Sequence, residues 1–311
     1  MSMKIRIQND DTSNERQFLD LLNKRKFDDA FNFLENNKIE FIDFRNFNVA
    51  HYDSSINLSL YNPIMLICTP ELNLEQFKKL CSFMKKHTFL AIDLGATSGR
   101  SVLITLSHGK IEMQELTRFP NNMLELHGKY YWNIYALYQY RKEALTRCAE
   151  RKFPLESMGV DTWGVDFGYI APDGTLLGLP RAYRDPYTDG VPDEFFKKIS
   201  RDEVYRLTGI QVLNFNSLYQ LYAASREQFA PLKSSARILF MPDLISYLLT
   251  GVEVCEYTAA STSQILNPVT GCFEPSLLEA AGVSPTLFAN PVPSGTKVGS
   301  LTPALAMETG F

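Results

Sequence analysis

The chain divides by the rhythm of its apolar positions. Up to about residue 87, apolar residues recur every three or four positions in 15–23, 27–36 and 73–86, the spacing of amphipathic helices, and the run Asn62-Pro-Ile-Met-Leu-Ile-Cys68 reads as the start of another. From Phe89 onward the rhythm shortens. Strands are expected at 89–94, 101–107 and 110–118, then a helix from Trp132 to Arg151, then a further strand pair between Ser157 and Ile170 that breaks at the turn tetrapeptide Ala171-Pro-Asp-Gly174. Beyond Ile199 the pattern is mostly helical, at 202–208, 217–228, 242–250 and 276–281, the last stopping before Gly282.

Composition follows the same division. Residues 1–87 are rich in Asn, Phe, Lys and Glu and free of Gly, whereas the remainder is Gly-punctuated, so a boundary is placed at 86–88. This predicts a small α-helical segment at 1–87 and an α/β domain at 88–311. Helix pairs with Leu34-Glu-Asn-Asn37 at one end and Asn62-Pro-Ile-Met-Leu66 at another's start faintly resemble ankyrin repeats. At most two such units fit where a stack usually needs about three, so an unclassified helical extension remains the alternative. A protein partner for 1–87 is the functional expectation, although its Phe and Leu stripes read as core.

Charge and cysteine content narrow the function class. The 311 residues carry a net charge of -4 and no basic cluster interleaved with aromatics, so no nucleic-acid surface is indicated and a small-molecule substrate is expected. The N-terminus is too polar for a signal sequence, and no apolar run approaches the ~20 residues that span a bilayer, which predicts no membrane association and a cytoplasmic location. Five widely spaced Cys residues without a Cys-x-x-Cys pair fit neither a disulfide framework nor a zinc site, and the four His residues share no metal-ligand spacing.

Candidate chemistry concentrates in Asp93-Leu-Gly-Ala-Thr-Ser-Gly-Arg100, a small-residue turn between two strand-like runs. Gly95 and Gly99 are expected to allow backbone angles closed to other residues, while Thr97, Ser98 and Arg100 supply donors suited to phosphate oxygens. A Walker loop or a dinucleotide fingerprint would open a helix; here the chain turns back into a strand. The simpler alternative is a tight hairpin in which Asp93 caps the turn and Arg100 pairs with a local carboxylate. Asp161 and Asp166, five apart on an expected strand, point to opposite faces and form no acid/base pair. Asp243 and Glu256 read as helix caps and local hydrogen-bond acceptors, and Trp132 and Trp163 as core or as apolar walls for a sugar.

In order, Asp93-Leu-Gly-Ala-Thr-Ser-Gly-Arg100, Asp161-Thr-Trp-Gly-Val-Asp-Phe167, Leu179-Pro-Arg-Ala-Tyr-Arg-Asp185, Thr208-Gly-Ile-Gln211, Phe215-Asn-Ser-Leu-Tyr-Gln-Leu221, Met241-Pro-Asp243, Leu249-Thr-Gly251 and Glu256-Tyr-Thr258 resemble the N-terminal domain of the FGGY carbohydrate kinases, within them the rhamnulokinase branch. The resemblance implies an actin-like (ribonuclease H-like) ATPase N-terminal domain of class α/β. It implies ATP and Mg2+ as cofactors and a sugar as substrate, L-rhamnulose or a related ketose, phosphorylated at its 1-hydroxyl. By matching motif, Ala96, Thr97, Ser98, Gly99 and Arg100 would hold ATP phosphates, Asp93 would hold Mg2+, and Gly164 would contact the sugar. A packing glycine or a bulge is the other account of Gly164.

The family's general base is an Asp in a Ser/Gly-His-Asp-Thr motif, expected beyond Phe311, as is the second actin-like domain. No catalytic residue is therefore assigned, and the 311 residues are expected to turn over little or not at all alone. Two further readings are a non-catalytic interaction protein built on a half-kinase and a kinase for another ketose.

Overall fold

The computed structural model describes residues 42–43, 65–66, 86–107 and 110–311. The predicted helices of 1–87, their ankyrin-like packing and the protein partner expected there lie outside the described residues. Within that stretch, Ile42–Asp43 and Met65–Leu66 pair as short parallel strands. A helix start was expected over 62–68, and an unbroken apolar run does not by itself separate the two outcomes.

From residue 87 the sheet is built first. β1 (His87–Leu94) alternates half-buried and buried positions, so Leu90, Ile92 and Leu94 share one face and are almost fully buried. Three residues later β2 (Ser98–Ser107) returns beside it, a connection short enough only for an antiparallel pair, and β3 (Lys110–Pro120) follows beside β2. The helix α1 (Ile134–Glu150) then crosses over to β6 (Ser157–Thr162), which lies parallel to β1 in the order β3-β2-β1-β6, with Phe89 opposite Ser157 and Leu94 opposite Thr162. The apolar face of α1, with Ile134, Leu137, Ala144 and Leu145, closes over Leu90, Ile92 and Leu94 in one core. Each such side chain contributes about 1.5–3 kcal/mol on full burial.

Two expectations in this region change. A hairpin of β4 (Met123–Leu126) and β5 (Lys129–Trp132) precedes α1, turning at His127 and Gly128, both with positive φ. Trp132 therefore ends a strand. The helix begins at Ile134, where the Asn133 side chain accepts from the Ala136 amide at 3.1 Å.

After β6 the chain breaks at 163–166 and resumes as β7 (Phe167–Ile170), which pairs antiparallel with β8 (Arg237–Phe240). The expected helices appear as α2 (Arg201–Thr208), α3 (Ser217–Arg226), α4 (Met241–Thr250) and α6 (Pro275–Ala281); α5 (Tyr257–Ser261) and α7 (Pro303–Thr309) are additional. α2, α4 and α6 each end at a left-handed glycine, Gly209, Gly251 and Gly282. A second core gathers around α3 and α6, including Leu218, Tyr219 and Leu221. No helix among the described residues is long and apolar enough to cross a membrane.

Candidate functional site

The turn between β1 and β2 occupies Gly95–Thr97. It is closed by the Ser98 carbonyl, which accepts from the Gly95 amide at 2.9 Å, and clamped by Asn121, whose amide donates to the Thr97 carbonyl at 3.0 Å and whose Nδ2 donates to the Gly95 carbonyl at 2.9 Å. Asn121 is buried, and nothing in the local sequence marks it. Thr97 and Arg100 are exposed, Ala96 and Ser98 half-buried and Gly99 buried. Neither Gly95 nor Gly99 has a positive φ, which corrects the reason given for them above. What they supply is room. A Cβ on Gly99 would lie 2.4 Å from two ring atoms of Phe119 and 2.8 Å from Leu94 Cδ2, and one on Gly95 would lie 3.0 Å from the Ser98 carbonyl oxygen.

Arg100 Nε donates to Asp93 Oδ2 at 2.8 Å, and both side chains are nearly half exposed. The cation expected to face phosphate thus sits on the carboxylate expected to face a metal. An exposed pair of this kind is typically worth 0–1 kcal/mol, so exchange for an incoming anion and cation costs little.

A second feature follows β6. The Asp166 amide donates to the Gly164 carbonyl at 3.0 Å, closing a three-residue turn about Val165, whose φ is +68°. That conformation is strained for a β-branched residue and persists only where neighbours fix it. Here Thr262 Oγ1 accepts from the Val165 amide at 3.1 Å, while the Val165 carbonyl accepts from Ser217 Oγ at 2.6 Å and Gln220 Nε2 at 3.2 Å. Gly164 has no space for a side chain, because its Cβ would lie 2.8 Å from Thr262 Oγ1.

Asp166 anchors this turn from inside. Its Oδ2 accepts from Trp132 Nε1 at 2.5 Å, Trp163 Nε1 at 3.0 Å and the Tyr183 amide at 3.1 Å, and its Oδ1 from Gln220 Nε2 at 3.0 Å. Burial pushes its pKa up to about 6, against the lowering effect of those four donors. Asp161 and Asp166 do not share a strand as expected, since β6 ends at Thr162 and Asp166 turns inward. Trp132 is fully buried and belongs to the core; Trp163 is half-buried and reaches a groove.

That groove, about 1070 Å³, runs along β6 between α4 and residues 292–301, and its walls include Asp161, Trp163, Gly164 and Thr262. Ala96 to Arg100 lie outside its lining, whereas Asp161 to Gly164 belong to it. Asp243 and Glu256 also face it. Both Asp243 oxygens take the Glu256 amide, at 3.1 and 3.2 Å, and burial foremost, with Glu256 beside it, pushes Asp243 up to about 7. For Glu256 burial acts upward, but hydrogen bonds from Ser294 at 2.6 Å, Thr258 at 2.5 Å and the Ala259 amide at 2.9 Å hold its pKa below the usual range. Glu256 thus caps α5 as expected, whereas Asp243 caps no helix and serves as a local hydrogen-bond acceptor for the Glu256 amide.

Residues 88–311 match the FGGY family of carbohydrate kinases, N-terminal domain. Rhamnulokinase from Bacteroides thetaiotaomicron is 48% identical over 226 residues, covering 73% of this chain and 47% of that protein. Rhamnulokinase from Ligilactobacillus salivarius is 40% identical over 213 residues, covering 68% and 43%. Among solved structures, gluconate kinase from Lactobacillus acidophilus superposes with a TM-score of 0.66 at 14% identity, over 73% of this chain and 46% of that one. A xylulose kinase from the same organism gives 0.65 at 14%, over 72% and 46%. The structural likeness shows the fold, the actin-like α/β architecture expected above. The chain spans about half the length of the curated relatives it matches.

Proposed function

The chain belongs to the FGGY family of carbohydrate kinases, and from that premise we propose that residues 88–311 are the N-terminal half of an ATP-dependent sugar kinase of rhamnulokinase type. The reaction is transfer of the ATP γ-phosphoryl group to the 1-hydroxyl of L-rhamnulose. One observation carries this reading: the Asp93–Arg100 turn and Gly164 emerge from the same ends of two adjacent parallel strands, where Leu94 lies opposite Thr162. Ligands of open α/β sheets bind at such carboxyl ends.

The donor set fits the cofactors proposed. Thr97 and Ser98 hydroxyls, turn amides and the Arg100 guanidinium suit phosphate oxygens, and the Asp93 carboxylate is a hard oxygen ligand suited to Mg2+. Among the described residues no group of three or more His, Cys, Asp or Glu side chains is placed to hold a metal; Asp93 would hold Mg2+ together with phosphate and water oxygens, the ligands Mg2+ favours. Bound ATP supplies the phosphoryl group, and this chain's part is to orient it. Thr262 fills the space a side chain at Gly164 would take, so the contact proposed with the sugar is through the Gly164 backbone, which the network under Val165 holds in place. The division at 86–88 and a binding role for 1–87 are parts of the same proposal.

Because the relatives carry a further half, we place the general base and the rest of the nucleotide pocket there, and these 311 residues alone turn over little. A coupled ADP-release assay over a panel of ketoses tests this, first with the 311-residue chain and then with the chain joined to the remaining half of a rhamnulokinase. Activity of the joined protein that favours L-rhamnulose supports the reading. Preference for another ketose overturns the substrate, and robust turnover by the 311 residues overturns the division of labour.

A further inference from the structure

We infer that Asp161 is a second carboxylate of the metal–phosphate site, standing beside Asp93 and holding the water shell of a divalent cation bound with nucleotide phosphate. The inference rests on the phosphoryl-transfer reading and extends it to a residue which that reading leaves without a role.

Placement is the first ground. Asp93 and Asp161 are register partners on adjacent parallel strands. Neighbouring strands lie about 4.8 Å apart and side chains alternate in face along each, so register partners stand side by side on one face. Burial gives the same assignment independently. Ile92 and Leu94 of β1 and Val160 and Thr162 of β6 turn to the more protected face, while Asp93 is half-exposed and Asp161 exposed. Asp161 also lines the groove and precedes Gly164, the position proposed for the sugar, by three residues.

Charge is the second ground. Asp93 is paired with Arg100, but among the described residues Asp161 has no ion pair or side-chain hydrogen bond. Asp166, Asp243 and Glu256 each anchor a turn or helix end; Asp161 anchors nothing. Two like charges side by side on neighbouring strands destabilise a sheet. A cation between them reverses the sign of that interaction. Mg2+ suits the spacing because it keeps several waters and uses one or two carboxylates together with substrate phosphates.

Mn2+ serves as the probe. Free Mn2+ is followed by electron paramagnetic resonance during titration of the chain joined to the remaining half of a rhamnulokinase, with ATP present, and ATP binding in EDTA is measured by calorimetry. Asp161→Asn is expected to weaken Mn2+ retention about 10- to 100-fold while ATP binding in EDTA stays within about twofold. Its metal-free melting temperature should not fall below that of the unsubstituted protein, because a like charge has been removed. Asp161→Glu should recover part of the retention. If Asp161→Asn holds Mn2+ with ATP as tightly as the unsubstituted protein, or if binding falls equally with and without metal, the inference is overturned and the phosphate-turn reading stands. If the unsubstituted protein binds ATP under neither condition, the phosphate-turn reading falls and this inference falls with it.

Discussion

Trp132 and Trp163 give their indole N–H groups to one atom, Oδ2 of Asp166, with ring centroids 4.2 Å apart. They are the chain's two tryptophans, so intrinsic fluorescence reports on this single carboxylate. Asp166→Asn keeps one acceptor oxygen but replaces the other with an amide that meets Gln220 Nε2, donor against donor. Gln220 has no easy reversal, since its Nε2 also donates to the Val165 and Phe215 carbonyls and its Oε1 accepts from Tyr187. A buried group left unsatisfied costs about 1–3 kcal/mol, which urea unfolding followed by tryptophan emission will measure. Unchanged stability would show that the network does not hold the turn.

Gly164→Ala tests the same turn from the other side. Its Cβ would meet Thr262 Oγ1 at 2.8 Å and Thr262 Cγ2 at 3.0 Å, and overpacking of this kind typically costs about 1–3 kcal/mol. Thr262→Ala removes the obstruction but also the acceptor for the Val165 amide. The two substitutions together should therefore cost less than their sum, and a double-mutant cycle on chemical unfolding reads the coupling. Strict additivity would mean that Thr262 is not what keeps position 164 a glycine.

Gly99→Ala should destabilise for want of space. The contact at 2.4 Å is with the Phe119 ring, so Gly99→Ala should cost less in a Phe119→Leu background, whose own cost is measured separately, than it does alone. A backbone-angle requirement at Gly99 would give no such rescue. Thermal melts of the single and double variants separate the two accounts.

The strand–turn–strand around Asp93 was legible because local chemistry decides it: alternating apolar positions, a run of small residues and no helix signal after the last glycine. The parallel pairing of β1 with β6 was legible only through the order of elements, and the Asp93–Asp161 register not at all, because register is set by packing over residues 68 positions apart. Asn121 and Thr262 went unread, and Gln220 was read only as part of the Phe215–Leu221 motif, for the same reason: each reaches the site from a distant element. Val165 was the least legible, because nothing about a valine predicts a positive φ; three distant partners impose it.

Asp243 makes stability depend on pH. Its carboxyl titrates near 7 in the fold against an ordinary 3.8, so below pH 3.8 it is protonated in both states and has no effect. As pH rises from there toward 7 the unfolded chain gives up the proton while the folded one keeps it. Folding is progressively weakened, by no more than about 4 kcal/mol in all at 1.36 kcal/mol per unit. Asp243→Asn retains an acceptor for the Glu256 amide and removes the titration. Its stability relative to the unsubstituted protein should climb between pH 4 and 7 and then level off, as urea midpoints across that range will show; a flat difference would place the titration elsewhere.

Arg141 lies fully buried on α1, and its three guanidinium nitrogens have no hydrogen-bond partner among the described residues. Burial lowers its pKa to about 10, and its compensation is the Phe119 ring, 4.6 Å from the guanidinium carbon and itself stacked on Tyr140. A cation–π contact is worth roughly 2 kcal/mol when desolvated, less than the several kcal/mol lost by taking an ion out of water. Arg141→Met fills most of the same space beside Leu137 and Leu145 with an unbranched chain two atoms shorter, and removes the charge. It should stabilise the domain by about 1–4 kcal/mol, the gain found when buried ionic groups give way to apolar ones of similar volume. Arg141→Lys should go the other way, because an ammonium group is more strongly hydrated and spreads its charge less. Chemical unfolding of the two variants decides it: a methionine variant less stable than the unsubstituted protein would show that the Phe119 contact outweighs the desolvation.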